Sequence, residues 1–135
     1  MSRAAISVFV HGLYIGLLSI TFFAAADLVL GLFGLPAHKD VFVYVAAMLL
    51  LYLAGFFIVS ARNEVRDFFK LSVVTRYLTP FFLGAFVALG QAKVNLLLFA
   101  VPDVLLGTWT LLALRVDAQA GAAKAAVPAG TATAR

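Results

Sequence analysis

The chain contains no cysteine, and only 12% of its 135 residues are charged. Without cysteine there is no disulfide and no thiol nucleophile or redox centre, which excludes membrane oxidoreductases that work through paired cysteines. Its two histidines, His11 and His38, are too few to form a histidine metal cluster on their own. No metal, cofactor or catalytic constellation is expected. A soluble domain carries roughly 25% charged residues, so the scarcity of charge argues against a water-soluble globule.

What is abundant is apolar surface: 64% of the residues are hydrophobic and the mean hydropathy is +1.09. Four long apolar runs stand out. Ala4–Leu35 is broken only by His11 and Asp27, and Val41–Ala61 carries no charge. Leu71–Gly90 is broken only by Arg76, and Val94–Leu114 only by Asp103. About 20 apolar residues carry a helix across the hydrocarbon, and in lipid the backbone must satisfy its own hydrogen bonds. Strand-length alternation is absent, which argues against an outer-membrane barrel. The expected fold is an all-α membrane protein, a four-transmembrane-helix antiparallel bundle over residues 1–115, with helices at about 4–33, 41–61, 71–90 and 94–114.

The start of the chain, "MSRAAISVFV" with a later "FAAAD", imitates a secretory signal. Its apolar part outruns the usual core of such signals, and "LVLGLFGLP" continues the run. A long or tilted first helix ending near Gly34 and Pro36 is the better reading. The stretch 116–135, "VDAQAGAAKAAVPAGTATAR", lacks large packing residues and reads as a disordered cytoplasmic tail, with transient helix in its Ala-rich part.

The net charge of +4 is concentrated beside the membrane rather than on a nucleic-acid-binding face. Arg3, Arg62, Arg66, Lys70, Arg115, Lys124 and Arg135 fall on one side of a four-pass chain, and Lys39 and Lys93 on the other. That asymmetry places both termini in the cytoplasm of an inner-membrane protein and makes the lipid bilayer the first partner. A homo-oligomer or a larger membrane complex is the other partner left open. No internal repeat of the kind found in inverted-repeat transporters is visible.

At 100° per residue, Asn95, Phe99, Asp103, Gly107 and Thr110 share a stripe on the fourth helix. Ser72, Arg76, Thr79, Leu83, Val87 and Gln91 share one on the third, and Ser7, His11, Tyr14 and Leu18 one on the first. These faces should meet protein. Gly12 and Gly16, and Gly84 and Ala88, have the small-xxx-small spacing that lets helices approach closely. Pro80 and Pro102 free the carbonyls of Arg76 and Leu98. Trp109 and Tyr77 fit an interfacial aromatic belt. "ARNEVRDFFK" (61–70) reads as a solvated connector, or as a surface helix whose Phe68 and Phe69 dip into lipid.

Asp103 is the residue that most needs a reason, because an aspartate at the middle of a membrane helix costs about 2.5–3.5 kcal/mol to insert. It can be an orienting contact, a proton or cation site, or a ligand-binding carboxylate. The orienting contact is favoured, with Arg76 as the expected partner, although the two side chains lean toward opposite surfaces. The intramembrane polar candidates are therefore Asp103, Arg76, His11, Tyr14 and Asn95.

The segments "YLAGFFIVSARNEVRDFFKLSVVTRYL" (52–78) and "FAVPDVLLGTWTLLAL" (99–114) resemble small four-helix bacterial membrane proteins of the BphX-like or DoxX-like sort. The resemblance covers roughly residues 45–115. It rests on a Gly-aromatic second helix ending in an Ala-Arg-Asn turn, a base in helix three and an aspartate in helix four. It implies the same four-helix fold and carries over no catalytic residue.

Two functional readings follow. The first is a non-enzymatic accessory protein, or a bundle that binds lipid or a small molecule. The second is a small oligomeric transporter with Asp103 as coupling carboxylate. Small multidrug transporters resemble the chain poorly, because their essential glutamate belongs in helix one and the only glutamate here is Glu64. An isomerase-like enzyme would need a second acid near Asp103, and Asp27 lies too far toward the other surface.

Overall fold

A computed structural model describes residues 1–35 and 40–125. It is an all-α antiparallel four-helix bundle: α1 (Arg3–Leu32), α2 (Val41–Arg62), α3 (Arg66–Ala88) and α4 (Ala100–Ala125), with a 3₁₀ segment at Val94–Phe99 leading into α4. All four helices are long and apolar enough to cross a membrane.

Three of the helices stop in the same way. Leu35, Val65 and Gln91 donate backbone N–H bonds to Leu30, Ser60 and Phe86, five residues back. The residue before each donor has a positive φ: Gly34 at 67°, Glu64 at 52° and Gly90 at 71°. This is the Schellman stop, which normally uses glycine because the left-handed region is cheap only for glycine. Glu64 is the exception, and contacts from elsewhere in the chain hold it. Its Oε1 accepts from the Ser2 N–H at 2.6 Å and lies 3.6 Å from the terminal amino group of Met1. The Asp117 carboxylate accepts from the Ala4 N–H at 3.0 Å. The N-terminus, the α2–α3 turn and the last turns of α4 are thus tied together at one end of the bundle, called here the clasped end.

Several boundaries differ from the sequence expectation. The α2–α3 connector is shorter, because residues 66–70 already belong to α3. Phe69 is fully buried there, and the Phe68 ring packs edge-on against Phe57, with centroids 5.1 Å apart. These phenylalanines join the core instead of dipping into lipid. The fourth helix runs on through Ala125 rather than ending near residue 114, so residues 116–125 are helical, not a disordered tail. The bond from Ala4 to Asp117 ties this extension to the bundle, and its alanines favour helix. Residues 126–135 lie outside the described residues. Ala25 interrupts α1 with φ −148° and ψ 52°, and Val29 and Leu30 beyond it are buried.

The packing around the bundle is uneven. Along the α1–α2 seam, Ala5, Gly12 and Ser19 of α1 and Ala47, Ala54 and Ala61 of α2 are all buried, and Gly16 faces Ala54. A side chain at Gly12 would stand 3.0 Å from Ile58 Cγ1 and from Phe57 Cβ, so the backbones meet almost directly. The Ser19 hydroxyl donates to the Ala47 carbonyl at 2.7 Å across the seam. Small residues at seven-residue intervals allow this approach in lipid, where packing and interhelical hydrogen bonds replace the hydrophobic drive between helices. The expected use of Gly12 and Gly16 is met here. Gly84, by contrast, has no neighbour within 4 Å of where a Cβ would stand.

From there α1 packs on α4, and α4 on α3, while α2 and α3 touch only sparsely. Their turn holds them together at the clasped end, and farther along they part.

Candidate functional site

Where α2 and α3 part, a cavity of about 550 Å³ opens between them, a size typical of small-molecule sites. Its polar end is built by His11 and Tyr14 of α1, Arg76 and Thr79 of α3, and Asp103 of α4. The opposite end is apolar, lined by Phe22, Leu50, Leu53, Leu83 and Phe99. Phe99 is held by the ring of Phe33, stacked with centroids 3.5 Å apart, so the α1 terminus shapes the apolar end. The α2 contribution is wholly apolar.

Arg76 is only 2% exposed. Its Nη1 donates to Thr110 Oγ1 at 2.9 Å, and its guanidinium carbon lies 5.1 Å from the centre of the Phe57 ring, within cation–π range. Thr110 in turn donates to the Leu106 carbonyl at 2.9 Å and lies 3.0 Å from the Ser7 hydroxyl. A buried polar chain thus links α3, α4 and α1. The pairing expected from the sequence is not formed. Thr110 occupies Arg76, and no ion pair joins Arg76 to Asp103 among the described residues. The reason is side-chain direction: in a helix a side chain leans toward its own N-terminus. In this antiparallel pair Arg76 therefore reaches along α4 toward Thr110, and Asp103 leans the other way.

The basic group nearest Asp103 is His11, with Nε2 3.9 Å from Oδ1, longer than a hydrogen bond. His11 is 2% exposed and Asp103 is 21% exposed. The His11 ring meets Phe57 edge-on at 4.7 Å and Tyr14 at 6.0 Å. Three buried nitrogens have no hydrogen-bond partner among the described residues: Nδ1 of His11, and Nε and Nη2 of Arg76. Unpaired buried polar groups are costly, and each calls for an explanation.

Four of the five polar candidates, Asp103, Arg76, His11 and Tyr14, meet in this one cavity. Asn95 does not: it is exposed, on the 3₁₀ segment. The 100° spacing that placed it in line with Asp103 fails there, because a 3₁₀ turn advances about 120° per residue. Pro102, which cannot donate to the carbonyl one turn back, sits just after this change of winding. Tyr77 also departs from expectation. Its hydroxyl is 2.7 Å from Thr108 Oγ1, so it bonds α3 to α4 besides any interfacial role.

The sequence reading missed Phe57, which contacts Arg76, His11 and Phe68. The signal was present in the small residues Ala47, Ala54 and Ala61. They fix the face that α2 turns to α1, and Phe57, one turn beyond Ala54, lies beside that face. No protein-family model, curated protein or solved structure matches the chain.

Proposed function

We propose that the protein is a non-enzymatic membrane bundle that takes up a lipid-like amphiphile from the bilayer through the gap between α2 and α3. The observation that carries this reading is the cavity's two-ended chemistry: an apolar half flanked by the divergent helices, and a polar half holding Arg76, His11, Tyr14 and Asp103. An amphiphile whose tail lies in the apolar half places its head on the polar groups.

The cavity is formed by the four helices of a single chain. The likeness to BphX-like or DoxX-like proteins remains part of this proposal, as does residence in a bacterial inner membrane. On the same reading the clasped end, with Arg62, Arg66 and Arg115, faces the cytoplasm, and both termini lie on that side of the membrane. A reporter fused after Arg115 is then active only on the cytoplasmic side.

The test is native mass spectrometry of the chain released from nanodiscs. The wild-type chain retains one amphiphile. Leu83→Trp, which fills the cavity from α3, loses it, whereas Leu89→Trp, on an exposed surface, keeps it. Equal retention by the two variants, or no retained molecule in the wild type, contradicts the proposal.

A further inference from the structure

Arg76 carries information about the head group. In a guanidinium, Nε–H and the Nη2–H on the same side point in parallel and form the edge that grips a carboxylate with two bonds. Thr110 takes Nη1, and Nε and Nη2 have no partner among the described residues. Arg76 thus lines the cavity anchored through Nη1, while Nε and Nη2 are buried beside it. The cation itself is nearly inaccessible to water.

Depth narrows the choice of anion. Arg76 is six residues past Lys70, which is exposed and paired with the exposed Asp67, so it lies roughly 9 Å inside the apolar run, below the head groups of a bilayer whose hydrocarbon is about 30 Å thick. A phospholipid phosphate carries its charge permanently and is tied to the interface. A carboxylic acid can shed its charge by taking a proton, enter the hydrocarbon neutral, and ionise only on reaching a cation.

Charge balance then gives Asp103 a role. The empty site holds one cation, Arg76, and one carboxylate, Asp103. A bound carboxylic acid brings a second carboxyl to this poorly solvated cavity with its single guanidinium, and two carboxylates beside one cation hold one proton between them. From α1 the site also receives His11 and Tyr14, and α2 adds no titratable group.

Building on the amphiphile-binding reading, we propose that the ligand is a single-chain monocarboxylic acid whose head docks on the Nε/Nη2 edge of Arg76 and passes its proton to Asp103. The O–H bond of the acid breaks and an O–H bond forms on the Asp103 carboxylate. The ligand becomes the anion that pairs with Arg76, and the net charge of the site is unchanged. Asp103 is thereby the group that lets an acid arrive neutral and stay ionised, and His11 flanks it.

The experiment uses the full chain in phosphatidylcholine nanodiscs with palmitic acid, methyl palmitate and a palmitoyl lysophospholipid as probes. The wild-type chain prefers palmitic acid to its methyl ester by about tenfold or more, the range of a charge-assisted hydrogen bond. Arg76→Lys, which keeps the charge but not the fork, reduces the preference, and Arg76→Gln abolishes it. The comparison of probes on the wild-type chain needs no variant to fold. With carboxyl-¹³C palmitic acid, infrared difference spectra show the isotope in a carboxylate band. They also show a new protonated-carboxyl band without isotope shift, absent in Asp103→Asn. Equal binding of acid and ester overturns the head-group assignment but leaves the lateral cavity standing. Preference for the lysophospholipid overturns it in favour of phosphate. An isotope-shifted protonated band overturns the proton transfer. Failure of all three probes to bind removes the amphiphile-binding reading along with it.

Discussion

The two faces of α2 show opposite solutions to packing inside a membrane. Toward α1, the buried Ala47, Ala54 and Ala61 share a seam with the buried Ala5, Gly12 and Ser19, so close that one extra carbon at Gly12 would stand 3.0 Å from Ile58 and Phe57 and make them shift. Toward α3, the same helix offers Leu50, Leu53 and Phe57, and beyond the turn the helices separate. In lipid, large apolar side chains gain little by leaving one hydrocarbon surface for another, so close helix contact depends on small residues and polar bonds. Where these are supplied the bundle is sealed, and where they are withheld it holds a cavity.

The largest test of this contrast is steric. Gly12→Leu forces bulk against Ile58 and Phe57 and is expected to cost at least about 1–3 kcal/mol, read as a lowered unfolding midpoint in detergent. Gly84→Leu adds the same bulk where nothing stands within 4 Å and is expected to change stability by less than about 0.5 kcal/mol. Similar losses for both would mean that the seam is not what holds α2.

A smaller effect concerns Arg76. A double-mutant cycle between Arg76→Met and Thr110→Val is expected to show coupling on the order of 1 kcal/mol, as polar contacts in membranes do. The cycle between Arg76→Met and Asp103→Asn in the unliganded chain is expected to be closer to additive. Reversed couplings would restore the Arg76–Asp103 pair that the sequence suggested.

That pair illustrates how far sequence carries. Four crossings, the antiparallel bundle and the inward polar stripes follow from apolar run lengths and helical period, because in lipid those two quantities govern. They place Ser7, His11, Tyr14, Arg76, Asp103 and Thr110 on interior faces. Which of them touch depends on the axial offset of α3 against α4 and on the lean of side chains along each helix. The true start of α3 at Arg66 set Arg76 farther from the helix end than the apolar run implied. Asn95 was misplaced because a change from α to 3₁₀ winding leaves no mark in a purely apolar stretch except Pro102. The cavity was not legible, since it results from an absence of small residues on one face of α2, which only the α1–α2 seam makes meaningful.

The smallest expected effect lies at the clasped end and depends on pH. The Ser2 N–H, bonded to the Glu64 carboxylate, holds that carboxyl below its ordinary range against the opposing effect of burial, and the terminal ammonium adds a lesser lowering. A lowered folded-state value means the contribution is complete above the ordinary glutamate range and is lost as pH falls through the folded value. Thermal melting in detergent should therefore show a slight acid-side loss that Glu64→Gln flattens. An acid-side slope unchanged in Glu64→Gln would remove Glu64 from the clasp.

The central claim is that bilayer chains enter between α2 and α3. Acyl chains bearing a diazirine, incorporated into nanodiscs with the wild-type protein, label whatever side chains they touch on illumination, and peptide mass spectrometry locates the adducts. The account predicts adducts on the cavity residues Leu50 and Leu83 and on Phe22, in addition to outward residues such as Leu49 and Phe56. Adducts confined to the outward residues would contradict it.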